Sequence, residues 1–194
     1  MRNHALAATL TLALVACAGP AEGPAGPAPR PGETQEPGAE QPGALPDSTC
    51  ENTTGGSPEN FPRFAEVELD SGETTDRITF RFTPEAGSPV DAPLHFINFS
   101  EQLITDGEGR RVKAAGEAFV VVSFQAIGVD LSGEEPVEVY TGPKRFKPGF
   151  GVLLEAVHLG DFEGQVSWGL GLSRKSCFVL EAEPDHITLE FPSA

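Results

Sequence analysis

Side-chain catalysis needs a nucleophile, a base or a set of metal ligands at a fixed spacing, and this chain offers few such spacings. His95, His158 and His186 each stand alone in the sequence, on or beside strand-like segments. There is no His-Glu-x-x-His pair, no Gly-x-Ser-x-Gly elbow and no glycine-rich loop ending in Lys-Ser/Thr. Acids are plentiful, with 29 Asp and Glu among 194 residues. Two carboxylates meeting by chance is therefore expected, and it carries little weight for glycoside hydrolysis. Asp106 and Glu108 could offer oxygens to calcium, but the EF-hand spacing is absent and an acidic hairpin turn is the simpler account. The expectation is a protein with no catalytic residue, no metal and no cofactor, with a carboxylate-based hydrolase as a distant alternative.

Binding is better supported than chemistry. The formal net charge is −16, which argues against nucleic acid as a partner, since phosphate contacts call for an excess of Lys and Arg. The basic residues nevertheless fall in clusters: Arg110, Arg111 and Lys113; Lys144, Arg145 and Lys147; Arg174 and Lys175. Each cluster sits in or beside a turn. Converging on one end of a fold, they would meet an anionic polymer or carboxylate; scattered, they are solvated charges balancing nearby acids. Trp168, the single tryptophan, stacks on a sugar or peptide face if exposed and fills the core against Val166 and Leu170 if buried. Arg110, Arg111, Lys144, Arg145 and Trp168 are the candidate ligand contacts.

The elements that must position these residues are strands. In Asp76–Phe82, Ile78, Phe80 and Phe82 alternate with Arg77, Thr79 and Arg81, the signature of a half-buried strand. Val67 and Leu69 alternate in the same way, as do Ile187, Leu189 and Phe191. Phe119–Phe124 and Gly151–Leu159 are nearly continuously apolar, so these strands are expected to be covered on both faces. Turn signals separate the runs at 106–109, 132–133, 147–149 and 161–164. No stretch carries a long amphipathic helix. Many short strands with Gly and Pro turns predict an all-β fold, an antiparallel β-sandwich or barrel, over 59–194. Between about 18 and 58 Leu45 is the one large apolar residue among Ala, Gly, Pro and polar residues. That composition predicts a disordered, extended Pro/Gly/Ala-rich tether.

The N-terminus has its own logic. Arg2 precedes a mostly apolar run from Ala5 to Ala16, too short to span a bilayer permanently and matching an export signal over 1–16. Leu14-Val15-Ala16-Cys17 resembles the lipobox of bacterial lipoproteins. The resemblance implies cleavage before Cys17 and acylation of that residue, leaving the mature chain anchored to the membrane on its extracytoplasmic face. Cys50 and Cys177 then remain as an even pair, which suits a disulfide in an oxidising compartment; two free thiols or metal ligation are the other readings.

The segment His158-Leu159-Gly160-Asp161-Phe162-Glu163-Gly164-Gln165-Val166-Ser167-Trp168-Gly169-Leu170-Gly171-Leu172 resembles a signature of the AMIN-like domains of actinobacterial exported proteins. Two further stretches agree: Asp76–Phe82, and Gly107-Glu108-Gly109 leading into Gly116–Phe124. The family's last strand usually carries Pro-Pro-Arg, then an aliphatic run and Asp. Here the matching positions read Pro184, Asp185, His186, Ile187, Thr188, Leu189 and Glu190. The resemblance covers about Phe61 to Phe191 and implies a non-catalytic β-sandwich that binds peptidoglycan or another envelope component. Its alternative is an adaptor that pairs an edge strand with an exported protein. Glycines 169 and 171 would let a ligand approach the backbone.

Overall fold

A computed structural model describes residues 45–193 apart from 86, 88 and 89. The export signal, Cys17 and the tether as far as residue 44 lie outside the described residues.

The described residues form an all-β fold of two packed antiparallel sheets. In chain order the strands are β1 (Thr53–Gly55), β2 (Arg63–Ser71), β3 (Thr75–Thr83), β4 (His95–Ser100), β5 (Leu103–Ile104), β6 (Arg111–Val112) and β7 (Ala118–Gln125). They continue as β8 (Val129–Asp130), β9 (Val137–Glu138), β10 (Arg145–Phe146), β11 (Leu153–Phe162), β12 (Gln165–Leu172), β13 (Val179–Glu183) and β14 (His186–Pro192). One sheet runs β1-β4-β7-β12-β11-β10 and the other β13-β14-β3-β2, while β5–β6 and β8–β9 are separate short hairpins.

The alternation in the sequence decides which side chains meet. Ile78, Phe80 and Phe82 of β3 and Ile187, Leu189 and Phe191 of β14 point inward, against Val120, Val122 and Phe124 of β7 and Val166, Trp168 and Leu170 of β12. Phe64 gathers the rings: Tyr140 lies 4.7 Å and Phe124 5.1 Å from it, centroid to centroid. Buried Asp76 ties the sheets together by accepting from the backbone N–H of Val152 (2.5 Å) and Leu153 (2.9 Å), across the core from its own strand. Removing such a carboxylate strands buried N–H groups.

The strands read as covered on both faces are so. Leu103, Val157 and Leu159 form a second buried cluster with Val112, Phe119 and Val121 on the outer face of the six-stranded sheet, under the β5–β6 hairpin. Two glycines permit that cover. A Cβ on Gly169 would stand 2.6 Å from Cδ1 of Leu103, and one on Gly171 would stand 1.9 Å from the carbonyl oxygen of Ala115. These glycines admit the chain's own hairpin to the backbone, not a ligand.

The folded part also begins earlier than its composition suggests. Thr53–Gly55 pairs with β4, Thr49 bridges Phe178, and Cys50 is disulfide-bonded to Cys177. Pro- and Gly-rich composition could not reveal this, because β1 contributes backbone pairing rather than apolar side chains.

Candidate functional site

Strand β7 leads from one candidate site to another. Eight residues span about 25 Å, with Ala118 and Phe119 at one end and Gln125 and Ala126 at the other.

At the first end lies a shallow groove that wraps the end of the six-stranded sheet, from Phe119 on its outer face to Phe99, which packs against the inter-sheet core. It consists of two adjoining depressions of about 300 and 240 Å³ that share Glu101 and Phe119. Arg111, Lys113, Gln102 and Leu103 line one; Phe99, Ser100 and Lys175 line the other. The cations here differ from most of those elsewhere; Lys147, in the turn after β10, likewise shows no carboxylate partner among the described residues. Arg63, Arg77, Arg81, Arg110, Lys144 and Arg145 each pair with a carboxylate, and Arg174 bonds the carbonyl of Pro192. Arg111 instead donates to the neutral amide oxygen of Gln102, and the Lys175 ammonium sits 5.4 Å from the ring centroid of Phe99. These two and Lys113 keep their charge unneutralised by any carboxylate partner among the described residues, in a chain of net charge −16. One acid, Glu101, shares the groove.

Of the candidate contacts read from sequence, the structure brings Arg111 to this groove and sends the others elsewhere. Trp168 is 0% exposed. Its ring packs among Phe64, Phe80, Tyr140 and Phe146, because the strand alternation that places Val166 and Leu170 inward places Trp168 there too; it is no ligand platform. Arg110 is taken up by Glu108 of its own turn. Arg145 crosses to Glu155, whose side chain is 3% exposed, and also donates to the carbonyl of Lys113 at 3.2 Å. Glu155 in turn accepts from the N–H of Ala115 at 2.8 Å. Arg145 therefore holds the wall of the groove rather than facing into it. Lys144 lies at the other end of the sheet, 2.6 Å from Glu138, an ion pair that holds the Glu138 carboxyl below its ordinary range. Sequence reasoning missed Phe99, Phe119 and Gln102; the alternation in β4 and β7 was the available signal, since it leaves Phe99 and Phe119 half-buried.

At the second end, around the β11–β12 turn, the character reverses. Glu163 and Gly164 both have positive φ, 52° and 77°, as a two-residue hairpin loop of the primed kind requires. Gly164 is open enough to take the edge of Phe61, which would lie 2.5 Å from a Cβ there. A cleft of about 590 Å³ beside the turn is floored by Phe61, Ile127, Val129 and Leu131 and rimmed by Asp130, Asp161 and Glu163. Asp161, Gly128 and Val129 also wall a cavity of about 30 Å³ with Tyr140, Lys144 and His158, room for one water. Burial pushes the Asp161 carboxyl up, reinforced by the negative charges of Asp106 and Glu138. Burial pushes the His158 imidazole down, with Lys144 helping, so His158 is neutral at neutral pH. Ser132 hydrogen bonds, then Arg63, hold Asp130 down to about 2. His95 bonds the carbonyl oxygen of Pro93 through Nδ1 at 2.8 Å, and Nδ1 of His186 sits 2.9 Å from Asp185. No cluster of three or more His, Cys, Asp or Glu suited to a metal ion occurs among the described residues.

Residues 62–191 match the family model for the AMIN-like domain. No curated protein and no solved structure matches the chain.

Proposed function

Because the chain belongs to the AMIN-like domain family, we propose that it is a non-catalytic envelope lipoprotein, anchored to the membrane through Cys17, whose β domain binds cell-wall peptidoglycan through the groove beside Phe119. The family suggests a cell-wall-related binding module. The observation that carries the reading is the gathering of Arg111, Lys113 and Lys175, without a carboxylate partner among the described residues, around Phe99 and Phe119. Peptidoglycan offers carboxylates for the cations and sugar and aliphatic faces for the two rings, while Gln102 and Ser100 supply hydrogen-bonding groups.

The edges of the sheets favour this over pairing with a partner strand. Edge strand β10 has two residues and β1 three. The longer edges carry acids, Glu66, Glu68 and Asp70 on β2 and Glu181 and Glu183 on β13, and short or charged edges resist strand addition.

The test is co-sedimentation of residues 40–194, the compact unit that retains β1 and Cys50, with purified sacculi at low and high salt. Saturable pelleting that weakens with salt and is weakened roughly tenfold in Arg111→Glu/Lys113→Glu supports the reading. No pelleting at either salt overturns it.

A further inference from the structure

The Gly-Asp-Phe-Glu-Gly turn lies at the opposite end of β7 from the basic groove and contributes no residue to its lining. Its surroundings are built for another ligand. The 590 Å³ cleft falls within the size range of ligand pockets, about 300–1,000 Å³. Its lining is largely apolar and includes Leu131, which is 73% exposed, an arrangement that leaves a large aliphatic group in water.

The rim is acidic. Asp130, Asp161 and Glu163 line the cleft with no Lys or Arg among the lining residues, and Glu163 has no cationic partner among the described residues. The cations nearby are committed: Arg63 pairs with Asp130 at 2.9 Å and Lys144 with Glu138 at 2.6 Å. Nothing in this rim invites an anion.

Shape narrows the ligand further. On the opposite side of the turn a second well of about 260 Å³, floored by Pro58, Leu94 and Phe96, again shares Glu163 and Gly164. The turn is thus a ridge between two apolar wells, which suits an extended chain laid across it better than a single small molecule. Glu163 also holds a left-handed conformation (φ 52°) that costs a non-glycine residue energy, and where Asn, Asp or Gly is usual.

We infer that this end of the sheet docks a basic peptide segment of a partner protein, with an aliphatic or aromatic side chain seated beside Leu131 and flanking Lys or Arg side chains on the acidic rim at Glu163. The inference is independent of the wall-binding reading, since the two surfaces share no residue.

A random dodecapeptide library selected against the full chain tests it. Enrichment of peptides in which Lys or Arg flank Leu, Ile or Phe is expected. The enriched peptides should bind Leu131→Ser and Glu163→Lys each roughly tenfold more weakly, with the melting temperature of both variants kept near that of the parent. They should bind Arg111→Glu/Lys113→Glu as well as the parent. A poly-lysine peptide without apolar residues serves as the control for attraction to net charge alone. No enrichment, binding unchanged in Leu131→Ser, or equal binding of poly-lysine overturns the inference. Leu131 is exposed, so its replacement leaves the core intact.

Discussion

The two ends of β7 carry opposite solutions to the problem of making a surface. At the groove, cations are left without carboxylates and set beside half-buried rings; at the cleft, Asp161 and Glu163 are left without ion-pair partners among the described residues, beside an apolar lining. Between them the strand is the same buried, alternating backbone. What differs is the cover. The groove is walled by the β5–β6 hairpin, which Gly169 and Gly171 admit onto the sheet, and the cleft by the β8–β9 hairpin and the β11–β12 turn. The lesson is that one rigid sheet can present two unrelated surfaces when each end receives its own short hairpin.

That comparison can be broken one end at a time. The largest effect is expected from Cys50→Ser/Cys177→Ser. The bridge closes a separation of 127 residues, and on the chain-entropy model its loss costs about 4–5 kcal/mol. It also pins the segment that carries Lys175 and Phe178, whose ring lies 5.9 Å from Phe99. Hydrogen exchange should therefore rise in β1 and residues 173–178 before it rises in the β11–β12 turn; equal rises at both ends would contradict the account.

Next come two glycines, one at each end. In Gly171→Ala the new methyl meets the backbone carbonyl of Ala115, which can move only with the groove wall. A loss of about 3 kcal/mol, read by urea denaturation, should accompany loss of sacculus binding. In Gly128→Ala the methyl meets Oδ2 of Asp161, a side-chain atom that can rotate away. The cost should be smaller, about 1 kcal/mol, and the groove should be unaffected.

The smallest effect is expected from Asp161→Asn. The folded state raises this carboxyl's pKa through burial and the charges of Asp106 and Glu138, so the fold binds its proton more tightly than the unfolded chain does. Its stabilising contribution is present when protonated and is lost as pH rises through the raised pKa. Asp161→Asn removes that dependence. The variant should be more stable than the parent at neutral pH, with the gain vanishing as pH falls into the ordinary carboxylate range. Melting temperatures across that range check this; a variant less stable than the parent at neutral pH would show the charge to be favourable.

Much of the scaffold was legible. Period-two alternation in β3, β7 and β14 marks strands whichever sheet they join, and the doubly apolar β7 and β11 announced that something must cover the outer face. The site was less so. Clustering of Arg110 with Arg111, or Lys144 with Arg145, says nothing about which charge remains free, because neutralisation depends on partners that folding supplies, such as Glu155 for Arg145 and Glu138 for Lys144. Adjacent residues on a strand also face opposite ways, so Lys144 and Arg145 part company at once. Trp168 was ambiguous for the same reason as Gly169 and Gly171: a Trp-Gly-Leu-Gly run fits an open binding strand and a tightly covered one equally well. The position of Leu103 and Ala115 decides it for the glycines, and the rings of the inter-sheet core decide it for Trp168.

The most direct test of the central claim is co-sedimentation of residues 40–194 with sacculi for three proteins side by side: the parent, Arg111→Glu/Lys113→Glu and Leu131→Ser. The account predicts saturable binding of the parent, binding weakened roughly tenfold, about 1.4 kcal/mol, in the charge-reversed groove, and parent-like binding in Leu131→Ser. Binding that survives reversal of Arg111 and Lys113 but fails in Leu131→Ser would place wall recognition at the wrong end of the sheet and contradict the account.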